Sequence, residues 1–166
     1  MRKVWMLVFL LIIGLVSLGI AAEQDEGMAR GSKEKGAGMH SVKLTGDEVV
    51  PPVKTDAKGE ATLHMSKDGK KLEYTVTASD MENVTAAHIH TGKKGENGPP
   101  VAPLAVEKKG KASGTIAKGT LTANDLMGSL KGKTLHDLIM EIENGNAYVN
   151  VHTEKHPDGE VRGQLK

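Results

Sequence analysis

Apolar and polar residues alternate along much of the chain after residue 40, with breaks at Gly, Pro, Asn and Asp. Leu72, Tyr74, Val76 and Ala78 alternate with Glu73, Thr75 and Thr77, and Ala61, Leu63 and Met65 with Thr62 and His64. A period of two marks a strand with one face buried. Asp68-Gly69 between these runs predicts a tight hairpin. The same reading places strands over 40–45, 84–90, 101–106, 113–121, 147–153 and 160–165. Pro103 predicts an edge or a bulge for 101–106, because proline donates no ladder hydrogen bond. The period changes only locally. Thr122 to Leu126 reads as a capped turn, and over 134–144 Leu135, Leu138, Ile139 and Ile142 fall at helical spacing, with Gly145 as the stop. Short strands, regular turns and little helix predict a mainly all-β fold, an antiparallel Greek-key β-sandwich with one or two short helical insertions.

Before residue 40 the pattern is different. Arg2 and Lys3 precede an apolar run from Val4 to Ile20, then small residues at Ala21 and Ala22 and acids from Glu23. Residues 1–22 therefore read as a secretory signal, with Gly19-Ile20-Ala21 as a small-x-small cleavage pattern. The alternative is an uncleaved anchor, since the run approaches the roughly 20 residues that span a bilayer. Residues 23–38 are polar, charged and Gly-rich without periodicity, and read as a flexible linker. Residues 39–166 make one domain. This order predicts an extracytoplasmic (secreted or periplasmic) domain, in membrane contact only through an uncleaved N-terminal segment.

Charge narrows the partners. Removing 1–22 takes away Arg2 and Lys3 and no acid, leaving 20 Lys/Arg against 21 Asp/Glu, a net charge of −1. That balance excludes nucleic acid as the main partner. The chain has no cysteine, so no disulfide staples the domain and no thiolate can bind a metal. Trp5 and Phe9 lie in the signal, which leaves Tyr74 and Tyr148 as the domain's aromatics and no stacking platform for bases or sugars. No serine occupies a G-x-S-x-G elbow, so serine hydrolase chemistry is not expected.

The candidate chemistry lies in two strands, Ala86-Ala87-His88-Ile89-His90 and Tyr148-Val149-Asn150-Val151-His152. Alternation puts His88 and His90 on one face of the first, and Tyr148, Asn150 and His152 on one face of the second. Two imidazoles one strand step apart can grip a single ion, with a third arriving from a neighbouring strand. His88, His90 and His152 are thus a candidate metal site; the plainer reading is polar strand residues facing solvent. Imidazole suits copper, zinc, iron and nickel. Three neutral histidines leave a coordination position open, whereas a closed structural zinc wants a fourth protein ligand. His64 and His156 are candidates for that fourth place, and His40 and His136 read as surface residues. Tyr148, Asn150 and Glu160 are candidates to orient the ligands. Tyr148 also reads as the main core aromatic, and Glu160, like Glu48, as a structural partner for Arg162. Met65, Met81, Met127 and Met140 are scattered and read as core filler. Gly92 to Pro100 reads as a lid beside His90.

Several blocks, in order, carry a family resemblance: Glu48-Val49-Val50-Pro51-Pro52-Val53 with Thr55 and Gly59; Ala87-His88-Ile89-His90 with Gly92 and Asn97-Gly98-Pro99; Gly145 to Thr153; and Gly159-Glu160-Val161-Arg162-Gly163-Gln164. Over about residues 40–166 the chain resembles the CHRD domain, named from chordin. The resemblance implies an extracellular or exported module, which in chordin belongs to an antagonist of a growth factor. A second likeness, limited to short motifs, is to copper-zinc superoxide dismutase, whose H-x-H and V-H strands supply copper ligands. It implies copper at His88, His90 and His152 and makes Arg162 a candidate catalytic arginine, but the chain has no His-rich zinc subloop and no disulfide pair. Copper is the first choice of cofactor, with zinc or iron as alternatives. The expected function is metal handling or redox chemistry at a three-histidine site. The alternatives are an extracytoplasmic protein-interaction module and a dismutase-like enzyme.

Overall fold

The computed structural model describes residues 38–107, 110 and 112–166. The predicted signal over 1–22, and all of the predicted linker except Gly38, lie outside them. Eight strands follow in chain order: β1 Met39–Thr45, β2 Lys58–Met65, β3 Leu72–Met81, β4 Val84–Thr91, β5 Pro100–Leu104, β6 Ala112–Leu121, β7 Ala147–Thr153 and β8 Val161–Gln164. Among the described residues one helix, α1 Leu135–Glu143, and three short 3-10 turns interrupt them. The fold is all-β and antiparallel, as the alternation predicts.

The strands form one sheet in the order β5-β4-β7-β8-β1-β2-β3-β6. A bridge from Val106 to Ala117 brings its two ends together, so the sheet curls into a nearly closed barrel. Closing this way leaves β3-β6-β5-β4 in Greek-key order. Pro103 sits in β5, opposite His88, and β5 ends at Leu104, before the predicted limit. At β3 the pairing slips between Ala78 and Met81, where Asp80 takes a left-handed φ of 55°. This bulge carries the strand past its predicted end at Ala78.

The inward positions fill the barrel with aliphatic side chains. Leu44, Leu63, Val76, Ile89, Val149, Val151, Val161 and Leu165 are buried there, and Tyr74 is the core aromatic. α1 presents Leu135, Leu138, Ile139 and Ile142 to this core. Its start is fixed by a capping box: Thr134 Oγ1 accepts from the Asp137 N–H, and Asp137 accepts from the Thr134 N–H. Gly145, at φ 68°, ends it.

Register decides what shares the outer face. β4 pairs β7 with Ile89 opposite Val149, and β7 pairs β8 with Val149 opposite Gly163. Because these residues point inward, the alternate set points outward: His88 opposite Asn150 opposite Arg162, and His90 opposite Tyr148 opposite Gln164. The site-bearing residues therefore lie on the outside of the barrel. Tyr148 belongs to this set and not to the core, which corrects its reading as the core aromatic.

Candidate metal centre

His88, His90 and His152 converge on the outer face of β4 and β7. Each offers a ring nitrogen, and the three nitrogens lie within 4.8 Å of one another. Two ligands about 2.1 Å from one ion can be at most about 4.2 Å apart. The spread found lies slightly above that limit. His152 reaches the pair diagonally, because its own cross-strand partner is Ala86 and its neighbour Asn150 faces His88.

Two of the rings are held from behind. His90 Nδ1 is 2.9 Å from the Gly98 carbonyl oxygen, and His152 Nδ1 is 2.8 Å from the Pro157 carbonyl oxygen. A carbonyl only accepts, so each Nδ1 carries the proton and each Nε2 keeps its lone pair. His90 Nε2, His152 Nε2 and His88 Nδ1 are all buried and have no hydrogen-bond partner among the described residues. A buried polar atom left unpaired costs about 1–3 kcal/mol. Three such atoms on one face form a ready donor set for an ion.

The electrostatics favour the neutral form of His90 and His88. Burial holds His90 down to about 4, outweighing the Gly98 hydrogen bond that favours its cation, and the nearby His152, His88 and Arg162 push the same way as burial. Burial, then His152, lowers His88. Neutral imidazole is the form that binds metal, so protons compete little at neutral pH.

Arg162 lies beside the site and is 1% exposed. Its guanidinium carbon is 3.5 Å from the centre of the Tyr148 ring, and that ring stacks on His90 at 5.0 Å. Nη1 donates to the carbonyl of Glu96 and Nη2 to that of Lys93, at 2.9 and 3.0 Å, with further contacts to Asn97 and Gln164. The arginine therefore sits under the 92–98 segment, with both terminal nitrogens engaged. That segment makes up most of the predicted lid, Gly92 to Pro100, and here it is tied down.

The remaining candidates sit apart. Glu160 touches no ligand ring and does not pair with Arg162. Its carboxylate accepts from the hydroxyls of Thr55 at 2.7 Å and Thr153 at 2.8 Å, fastening the 49–57 segment to the end of β7. Glu48 pairs with Lys94. Asn150 donates to the Asp158 carbonyl at 3.0 Å, and its Oδ1 is buried without a partner. His64 is exposed on β2, 3.9 Å from Glu73, with β8 and β1 between its strand and β7. His156 lies in the turn after β7 and is not among the converging nitrogens. His136 is exposed. His40, expected at the surface, is buried with Nδ1 at 3.2 Å from the Lys166 carbonyl.

The backbone acceptors Gly98 and Pro157, and the side chain of Gln164, were missed by sequence reasoning. In the folded chain Gly98 packs so closely that a side chain there would run into the Thr91 carbonyl. Among the described residues no helix is long and apolar enough to cross a membrane. A family model described as CHRD domain matches residues 40–165. No curated protein and no solved structure matches the chain.

Proposed function

This chain belongs to the CHRD domain family, and on that premise we propose that it is an exported domain that binds a transition metal through His88, His90 and His152. Copper is the metal of first choice, ahead of zinc and iron. The observation that carries the reading is the convergence of one ring nitrogen from each of the three histidines, each of which also has a buried ring nitrogen without a hydrogen-bond partner among the described residues. An all-imidazole set suits copper best on the affinity order of divalent ions. Three protein ligands leave a position for exchange or redox chemistry, which fits metal handling. The signal-like segment over 1–22 supports export.

The dismutase-like reading is less well supported. Arg162 is covered by the 92–98 segment, with both terminal nitrogens bound to it or to Gln164. A superoxide assay on copper-loaded protein checks this, with activity no higher than that of free copper as the expected result.

The test of metal binding is competitive titration of untagged protein with Cu(II) and Zn(II). Each single His→Ala change at 88, 90 or 152 should weaken binding by more than the roughly 10–100-fold typical of losing an outer-shell partner. Equal, weak binding by wild type and the triple variant would overturn the proposal. In that case the interaction-module reading takes its place.

A further inference from the structure

We propose that Arg162 is a positioning residue for the metal site, acting on His90 through Tyr148 and the carbonyl of Gly98. The proposal rests on the three-histidine reading above and assigns a role that the ligand set alone does not contain.

The contacts form a continuous path. Arg162 grips the 92–98 segment at the carbonyls of Lys93 and Glu96. Gln164, its neighbour on the same face of β8, donates to the Gly92 carbonyl at 2.9 Å. Tyr148 closes the other end: its hydroxyl donates to Gly98 O at 3.2 Å and accepts from Gly98 N at 3.1 Å. Gly98 O is also the acceptor for His90 Nδ1. The Tyr148 ring lies between the guanidinium and the His90 imidazole, stacked on the latter with 16° between planes. Three restraints therefore meet at His90: its ring plane, its tautomer, and the position of the carbonyl that sets that tautomer.

The arrangement is not cheap for the fold. A buried cation costs several kcal/mol unless it is well compensated, and Arg162 has no carboxylate partner among its hydrogen bonds. Carbonyls, two side-chain amide oxygens and one aromatic face compensate it. A planar fork can span the Lys93 and Glu96 carbonyls while stacking on Tyr148; a lysine ammonium is a point charge and cannot do both. Simple charge neutralisation would be met as well by lysine. Aiming His90 would not.

The first readout needs no metal. In metal-free, full-length wild type, two-bond nitrogen–proton NMR correlations should show His90 as the Nδ1–H tautomer. Arg162→Gln and Arg162→Lys should both mix the His90 tautomers and leave His152, which Pro157 holds, unchanged. The second readout is a double-mutant cycle on Cu(II) affinity. Arg162→Gln should weaken binding about 10–100-fold, lose most of that effect in a His90→Ala background and keep it in a His152→Ala background. Tyr148→Phe removes only the hydroxyl link and should shift the His90 tautomer in the same direction. It also serves if the Arg162 variants do not fold.

An Nδ1–H tautomer that persists in the Arg162 and Tyr148 variants would overturn the proposal. So would an Arg162→Gln effect of equal size in both histidine backgrounds, which is the mark of general loosening. If wild type binds no metal, the three-histidine reading fails, and the tautomer experiment still decides what Arg162 does.

Discussion

Acidifying the metal-free protein should remove a stabilising contribution that can be assigned to His90. The unfolded chain takes up this proton near pH 6.5, whereas burial in the folded protein delays it to about 4. Between those values the unfolded state binds the proton and the folded state does not, so stability falls as pH falls. Above about pH 6.5 the contribution is complete, and below about 4 it is gone. A gap of about 2.5 units at about 1.36 kcal/mol per unit gives roughly 3 kcal/mol. The assay is urea unfolding of metal-stripped protein from pH 7.5 to 4, alongside His90→Gln. Carboxylates and His88 titrate in both proteins, so the difference between the profiles isolates His90. Wild type should lose about 3 kcal/mol more than the variant over this range. Parallel profiles would contradict this assignment, as would a His90 ring that titrates near 6.5 by NMR.

The lowered proton affinity of His88 and His90 predicts that bound copper resists acid, with half-release below pH 6.5 in a fluorescence titration. Metal at about 100 times its dissociation constant should raise unfolding free energy by about 2.7 kcal/mol, and a chelator should reverse this in a thermal melt. Gly159→Ala forces a side chain into the Asn150 carboxamide at a backbone φ of 127°, which should cost about 1–3 kcal/mol by urea unfolding. Thr153→Val removes a hydrogen bond to the buried Glu160 carboxylate and should cost about 1.5–3 kcal/mol in the same assay.

Much of the architecture was legible because local rules and the global fold agree. The run from Leu72 to Ala78 alternates cleanly and is a strand with Leu72, Tyr74, Val76 and Ala78 buried. Thr134, Asp137 and Gly145 mark the helix ends by cap chemistry that acts within one turn. Tyr148 misled because β7 is buried on both faces: Val149 and Val151 by the barrel interior, Tyr148 and Asn150 on the outer face, where the 92–98 segment covers Tyr148 and the turn after β7 covers Asn150. Hydrophobic pattern separates core from solvent, but not core from a loop-covered outer face. His40 misled for a related reason, since its burial depends on the chain end folding back to place Lys166 beside it.

Local pattern was enough to put His88 and His90 on one face, since a strand's period of two allows nothing else, and to exclude a thiolate beside them. It also determined the strands and the helix, whose signals lie within a few residues. The folded sheet was needed to place β7 beside β4 in the register that brings His152 to the pair. Only there do Gly98 and Pro157 offer the carbonyls that turn two imidazoles toward a common point, and only there does Arg162 lie beneath the segment that carries Gly98. These are contacts between residues far apart in the chain, set by how the sheet closes, and no local pattern encodes them.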